Sequence, residues 1–242
     1  MSQVLTHQVS MDGITASDAE RSERSVAAVA GLLGAIALAV YFAAPAFLAW
    51  PYAGASSAAI LSYANAHSTL FFAGAWFQVT GTLLCVVLFL ALVRLSGAAT
   101  SLAGMVTALA CAVLLATVVI EAVFLVAVPV AAAAGDAATA TSMFALSNGG
   151  FLRVFPLAPA SATLIGLGLV LRRSNLLGAS LATAALGLGV AFELAGLAAI
   201  VLPGALVVLA ILSAGQAIWV VAASLKLGIL AGPATRPVAS RS

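Results

Sequence analysis

Between Ser101 and Pro129 the chain reads SLAGMVTALACAVLLATVVIEAVFLVAVP, in which the one charged residue is Glu121. A helix needs about 20 apolar residues, rising 1.5 Å each, to cross the hydrocarbon of a bilayer. This run is long enough, and it is too apolar to sit on the surface of a soluble domain. A carboxylate within it is costly to bury and so needs a reason, and Glu121 is expected to face protein rather than lipid.

The rest of the chain follows the same pattern. Of its 242 residues 64% are hydrophobic and 7% charged, where soluble domains carry about 25% charged residues. The mean hydropathy is +1.23. Apolar residues come in blocks rather than in the alternating ten-residue segments of a membrane β-barrel. Backbone groups in lipid must satisfy one another, so the expected fold is an all-α, polytopic transmembrane bundle. Six spans are predicted, at about Val26–Trp50, Leu70–Leu92, Leu102–Val130, Gly149–Leu171, Leu176–Leu202 and Ala205–Leu225. Residues 1–25 form a polar tail, expected to be irregular at its start, residues 26–227 the transmembrane domain, and residues 228–242 a second tail. The first span resembles a signal peptide in its basic flank, but it exceeds the 7–15 apolar residues of such a segment and is read as a retained anchor. Two connections stand out. Pro51–Thr69 is uncharged, with Tyr52, Tyr63, Asn65 and His67, and predicts a short interfacial helix over Ser57–His67 that caps the bundle. Ala131–Asn148 is read as a loop in which Asp136 is solvated.

Positive charge sets the orientation. With the N-terminus inside, the cytoplasmic flanks hold Arg21, Arg24, Arg94, Arg172, Arg173, Lys226, Arg236 and Arg241, and the outer side only Arg153. Both termini are therefore expected in the cytoplasm. Glu121 then lies about 12 Å from the outer end of its helix and Glu193 about 15 Å from the end of its own, counting 1.5 Å per residue back from Pro129 and Pro203. Both carboxylates fall in the outer half or near the midplane.

The candidate site is built from these charges. Glu121, Glu193 and Arg153 can meet in the outer half of the bundle, as a site for a cation, proton or small polar ligand, or as a structural pair that sets helix register. Helical side chains tilt toward their own N-terminus, which leans Arg153 outward and Glu121 inward and separates them. On the third span Thr107, Cys111, Thr117 and Glu121 share one face. On the second, Gly74, Gln78, Gly81, Thr82 and Cys85 form a packing seam in which Gln78 is the alternative ligand contact. Gly178, Ala182, Ala185, Gly189, Glu193 and Gly196 form a small-residue stripe on the fifth, and Ser213, Gln216 and Trp219 recur at helical spacing on the sixth. Gln78, Thr117, Gln216 and His67 are the secondary polar lining. Pro156 and Pro159 predict a distorted fourth helix.

Several chemistries lack their residues. Cys85 and Cys111 lie in apolar runs as packing residues, with no CxxC or Cys/His cluster for a metal. His67 and His7 fall on opposite sides, which disfavours haem. There is no GxSxG and no embedded histidine for a serine hydrolase. No cofactor, metal or nucleic acid is expected; the lipid bilayer is the one assured partner. The leading reading is a non-enzymatic membrane protein that binds or passes a small ligand, ion or lipid near Glu121 and Glu193. The alternative is a structural or regulatory subunit acting through a protein partner or a second copy.

The tail with Arg21 and Arg24, the external segment ILSYANAHSTLFFAGAW, the glutamate-bearing VVIEAVFL and the last-helix QAIWVVAASLKL together resemble the uncharacterised six-helix integral membrane proteins of actinobacteria and related bacteria, over about Val26 to Lys226. The resemblance implies this architecture and a bacterial plasma membrane. It implies no activity. A reporter fused after Ser242 is expected to be active in the cytoplasm; a reporter found outside the cell overturns the orientation.

Overall fold

A computed structural model describes residues 2–48, 50–51, 55–202 and 205–232. Those residues form eight α-helices and one π-helical turn, with no strand among them. In chain order the helices are α1 (Ser2–Phe47), α2 (Ser57–Ala66), α3 (Ser68–Leu95), α4 (Leu102–Ala133), α5 (Ala137–Val154), α6 (Ser161–Ser174), α7 (Ala179–Val201) and α8 (Ala205–Ala231), and the π turn is Pro156–Ala160. Five of them, α1, α3, α4, α7 and α8, contain stretches long and apolar enough to cross a membrane. Their outward faces are apolar as well, with Leu109 68%, Ile200 67% and Ile218 71% exposed. A water-facing surface would not carry these residues in such number. The chain is a helical, multi-pass membrane protein.

Local chemistry sets the helix starts. Ser56 and Ser101 accept bonds from the amides of Ala59 (3.3 Å) and Gly104 (3.1 Å), which caps α2 and α4. The expected interfacial helix is α2. It packs beneath Trp50 and against α5 through Ile60, Ala64, Phe71, Ala140 and Phe144.

Three expectations are corrected here. The segment Ala131–Asn148 is not a loop. It holds the last turn of α4 and the start of α5, because Asp136 accepts both the amide (3.0 Å) and the hydroxyl (2.6 Å) of Thr139 and so caps a new helix. Those bonds hold the Asp136 carboxyl below its ordinary pKa. The expected span Gly149–Leu171 is not one α-helix either. Pro159 has no N–H to give to the carbonyl of Phe155, its partner in an α-helix. The amide of Ala160 reaches back five residues to that carbonyl instead, at 3.1 Å, and the extra residue makes the π turn. The polar N-terminal segment, expected to be irregular at its start, is helical from Ser2 and continuous with α1.

In lipid, helices gain little from apolar burial and pack by close approach of small residues. Helices α1 and α3 meet at Gly34 and Gly81. A Cβ on Gly34 would lie 2.8 Å from the Gly81 carbonyl oxygen. The α7 stripe serves the same purpose against α6, where a Cβ on Gly189 would stand 2.7 Å from the backbone nitrogen of Ile165 and 2.9 Å from the Ser161 carbonyl oxygen. Polar contacts gather the basic helix ends. Arg94 pairs with Glu23 at 3.1 Å, Arg24 donates to the Leu230 carbonyl at 3.4 Å, and the Ser174 hydroxyl donates to that of Ser96 at 3.0 Å. The start of the apolar part of α1 and the ends of α3, α6 and α8 therefore lie at one end of the bundle.

Gly189→Ala is expected to lower stability by about 1–3 kcal/mol, because the obstacle is backbone and cannot yield. Gly187→Ala, where a Cβ would meet nothing within 4 Å, is expected to be neutral or slightly stabilising. Thermal unfolding of the two purified variants in one detergent checks this; equal melting temperatures would contradict the packing described.

Candidate functional site

Glu121 lies on the buried face of α4, 6% exposed, in line with Thr107, Cys111, Leu114, Val118 and Leu125. Its Oε2 accepts a bond of 2.5 Å from the Nε2 of Gln78 on α3, and its Oε1 accepts a longer one, 3.4 Å, from the Tyr41 hydroxyl on α1. One carboxyl group thus ties three helices. The pairing answers the question posed by a carboxylate in a membrane span: it is turned away from lipid and bonded through both oxygens.

Gln78 is itself 1% exposed. Its amide nitrogen is committed to Glu121, which turns the amide oxygen the other way. That oxygen has no hydrogen-bond partner among the described residues. A buried amide oxygen left unpaired costs roughly 1–3 kcal/mol, and such atoms are rare in folded proteins. Gln78 also lines a cavity of about 590 Å³. The walls come from α1 (Leu38 and Phe42), α3 (Thr82, Cys85 and Phe89), α4 (Leu114 and Val118), the π-turn region (Phe155 and Pro156), α7 (Phe192) and α8 (Leu209 to Val220). Carbon dominates the lining. Besides Gln78, the polar side chains on it are Thr82, Ser213 and Gln216, and Ser213 already donates to the Leu209 carbonyl at 2.9 Å. No charged side chain lines it among the described residues.

The proline-induced π turn helps shape this space. Without it, Phe155 and Pro156 would continue a regular helix; with it, the chain widens at the cavity wall and then resumes as α6. Mid-membrane departures from α-helical geometry are tolerated where they line a cavity or are buried in protein.

The expected site residues are distributed as follows. Gln78 and Gln216 line the cavity, while Glu121 stands behind Gln78. Glu193 is half-buried on α7 and accepts a 2.6 Å bond from the Ser161 hydroxyl at the start of α6. Glu121 and Glu193 are thus held by different partners on different helix pairs. Thr117 is half-buried and donates to the carbonyl of Val113 in its own helix at 2.9 Å, so it stands at the edge of the α4 polar face. His67 is exposed between α2 and α3, with its ring 4.6 Å from that of Tyr63 and away from the cavity. The side chain of Arg153 lies outside the described residues. Among the described residues no cluster of His, Cys, Asp and Glu could hold a metal ion.

Sequence reasoning missed Tyr41 and Ser161, the partners of the two glutamates. Tyr41 carried a signal, a phenol well inside an apolar span rather than at its end. Ser161 carried a weaker one, a hydroxyl just after the paired prolines.

Glu121→Leu leaves Gln78 Nε2 and the Tyr41 hydroxyl without their acceptor, and is expected to destabilise the bundle by about 1–3 kcal/mol. Tyr41→Phe removes only the 3.4 Å bond and is expected to cost well under that. Unfolding of each variant in mixed micelles gives the comparison, and a Tyr41→Phe loss as large as that of Glu121→Leu would contradict the assignment of Gln78 as the principal partner.

Compared with protein-family models, with curated proteins and with solved structures, the chain matches none.

Proposed function

We propose that this chain is a non-enzymatic protein of a bacterial plasma membrane that binds a small, uncharged ligand in the cavity beside Gln78. The observation that carries the reading is Gln78, buried beside an otherwise apolar cavity that it helps to line, with an amide oxygen that has no hydrogen-bond partner among the described residues. An acceptor left in that position calls for a donor from the occupant. The volume falls within the roughly 300–1,000 Å³ common for small-molecule sites, which likewise combine apolar walls with a few placed polar groups. The apolar lining disfavours a bare ion, which would need charges or several oxygens to replace its hydration. Glu121 acts through Gln78, holding its nitrogen so that its oxygen is presented.

The same reading includes six membrane crossings with both termini cytoplasmic. Five crossings would put the ends of the apolar core on opposite sides, whereas Arg24 reaches the Leu230 carbonyl. A fourth crossing made by α5, the π turn and α6 together restores the even number. The basic residues gathered at that end support its cytoplasmic placement.

The ligand reading is tested with 1-decanol and decyl methyl ether on the full chain in lipid nanodiscs. The two probes have closely similar apolar parts, and only the alcohol is a donor. Decanol is expected to raise the melting temperature of the wild type, by an amount corresponding to about 2.7 kcal/mol at a hundredfold excess over its dissociation constant. The ether, and decanol on Gln78→Leu, are expected to give little or no rise. Equal shifts with alcohol and ether would overturn the reading.

A further inference from the structure

The cavity has a side door. Among the residues that line it, Ala39, Phe42 and Ala43 on α1 and Ala210, Ala214 and Ile218 on α8 are exposed, Ile218 to 71%. So large an exposure puts Ile218 at the edge of the cavity rather than deep in its wall. The mouth therefore lies between α1 and α8, on the apolar flank of the bundle.

The two helices are in tight contact farther along. A Cβ on Gly31 would come within 2.2 Å of the Ser224 hydroxyl, one on Gly228 would lie 3.6 Å from the Ala28 methyl, and Arg24 bonds to the Leu230 carbonyl. From the Gly31–Ser224 contact, the level of Phe42 on α1 and of Ser213 on α8 is about 16 Å on at 1.5 Å per residue. The pair is in close contact at the basic end, and the residues of both helices that line the cavity lie farther along. At that depth the surroundings of a membrane helix are hydrocarbon, not water. Ile218, at 71% exposure, and Phe42, at 46%, edge the mouth with apolar surface.

We infer that the cavity is filled from the bilayer, sideways between α1 and α8, and that its occupant is a neutral single-chain amphiphile with a hydroxyl or amide N–H that donates to Gln78. The inference rests on the cavity reading above and adds the ligand class and its route. The aliphatic chain matches the carbon-lined walls between Leu38, Phe89, Leu114 and Phe192. The donor matches the unpaired oxygen of Gln78. A neutral head matches a lining without charge. A water-borne polar solute would meet hydrocarbon at this mouth and is disfavoured.

The test uses hexadecanol bearing a diazirine near the end of its chain, supplied within the nanodisc bilayer and activated by light. Wild-type protein is expected to be labelled on the cavity faces of α3 and α8, with the label displaced by plain hexadecanol. Ala39→Trp and Ala214→Trp each place an indole in the mouth and are expected to slow that labelling about tenfold or more. Leu194→Trp, on the lipid-facing side of α7 (63% exposed) and away from the mouth, is expected to leave it unchanged. Melting curves confirm that each variant is folded. Displaceable labelling that proceeds at the wild-type rate in both mouth variants overturns the lateral route. If decanol still stabilises the protein but no displaceable cavity label forms, the long-chain ligand class is overturned while the cavity reading stands. If decanol does not stabilise the protein either, the cavity reading has failed first.

Discussion

The bond between Gln78 and Glu121 is the constraint on which much of the bundle away from its basic end depends. Neither group is tolerable alone in hydrocarbon, and together they leave one atom, Gln78 Oε1, without a partner among the described residues. Because Glu121 also receives the Tyr41 hydroxyl, the pair ties α1, α3 and α4 side by side at one level. Buried polar links of this kind in membranes are individually modest, of order 0.6–2 kcal/mol. Their larger effect is on specificity: they fix which faces meet and at what register. Here they also fix the direction of a single amide oxygen.

Around that link helix pairs approach closely at glycines, beside a core of large side chains that includes Phe89, Leu164 and Phe192. Gly34 on Gly81, Gly31 on Ser224 and Gly189 on the backbone of α6 bring the helices so close that a methyl group would obstruct them. Between these tight seams the helices leave the cavity beside Gln78. The cavity is lined by α1 and α8 beyond their close contact and by Phe155 and Pro156, where the π turn replaces a regular helix. Pro159 is the covalent cause of that turn: with no N–H, it obliges the Phe155 carbonyl to bond one residue farther on. The cavity can thus be traced to a proline, a few glycines and one polar pair.

Much of this was legible in the residues. Unbroken apolar blocks mark α1, α3, α4, α7 and α8, and the α2 helix was visible in the interfacial character of the segment around Tyr63. The small-residue stripe through Ala182, Ala185 and Gly189 named the α7 face that packs on α6. Periodicity also placed Thr107, Cys111 and Glu121 on the buried face of α4, though Thr117, at the edge of the same arc, satisfies itself on its own helix. The break at Pro156–Ala160 was expected only as distortion, since sequence does not say whether a proline kinks a helix or widens it. The α5 helix was hidden because alanine and threonine runs suit loop and helix alike, and Asp136, solvated as expected, shows its capping role only in its bonds to Thr139. The site was half legible: Gln78 and Glu121 were each visible, but they lie on different helices, and no single-chain periodicity links residues 43 positions apart. Their meeting, and the orphaned oxygen that results, is a tertiary fact.

The central claim is that Gln78 presents a free acceptor to an occupant of this cavity. The most direct measurement is a cryo-EM map of the full chain in nanodiscs made with native membrane lipids, at a resolution that shows side chains. The expected result is an elongated density entering between α1 and α8 and ending within hydrogen-bond distance, about 2.7–3.2 Å, of the Gln78 amide oxygen. A map in which that oxygen bonds to a protein group, with the space between Phe42 and Phe192 closed, would contradict the account.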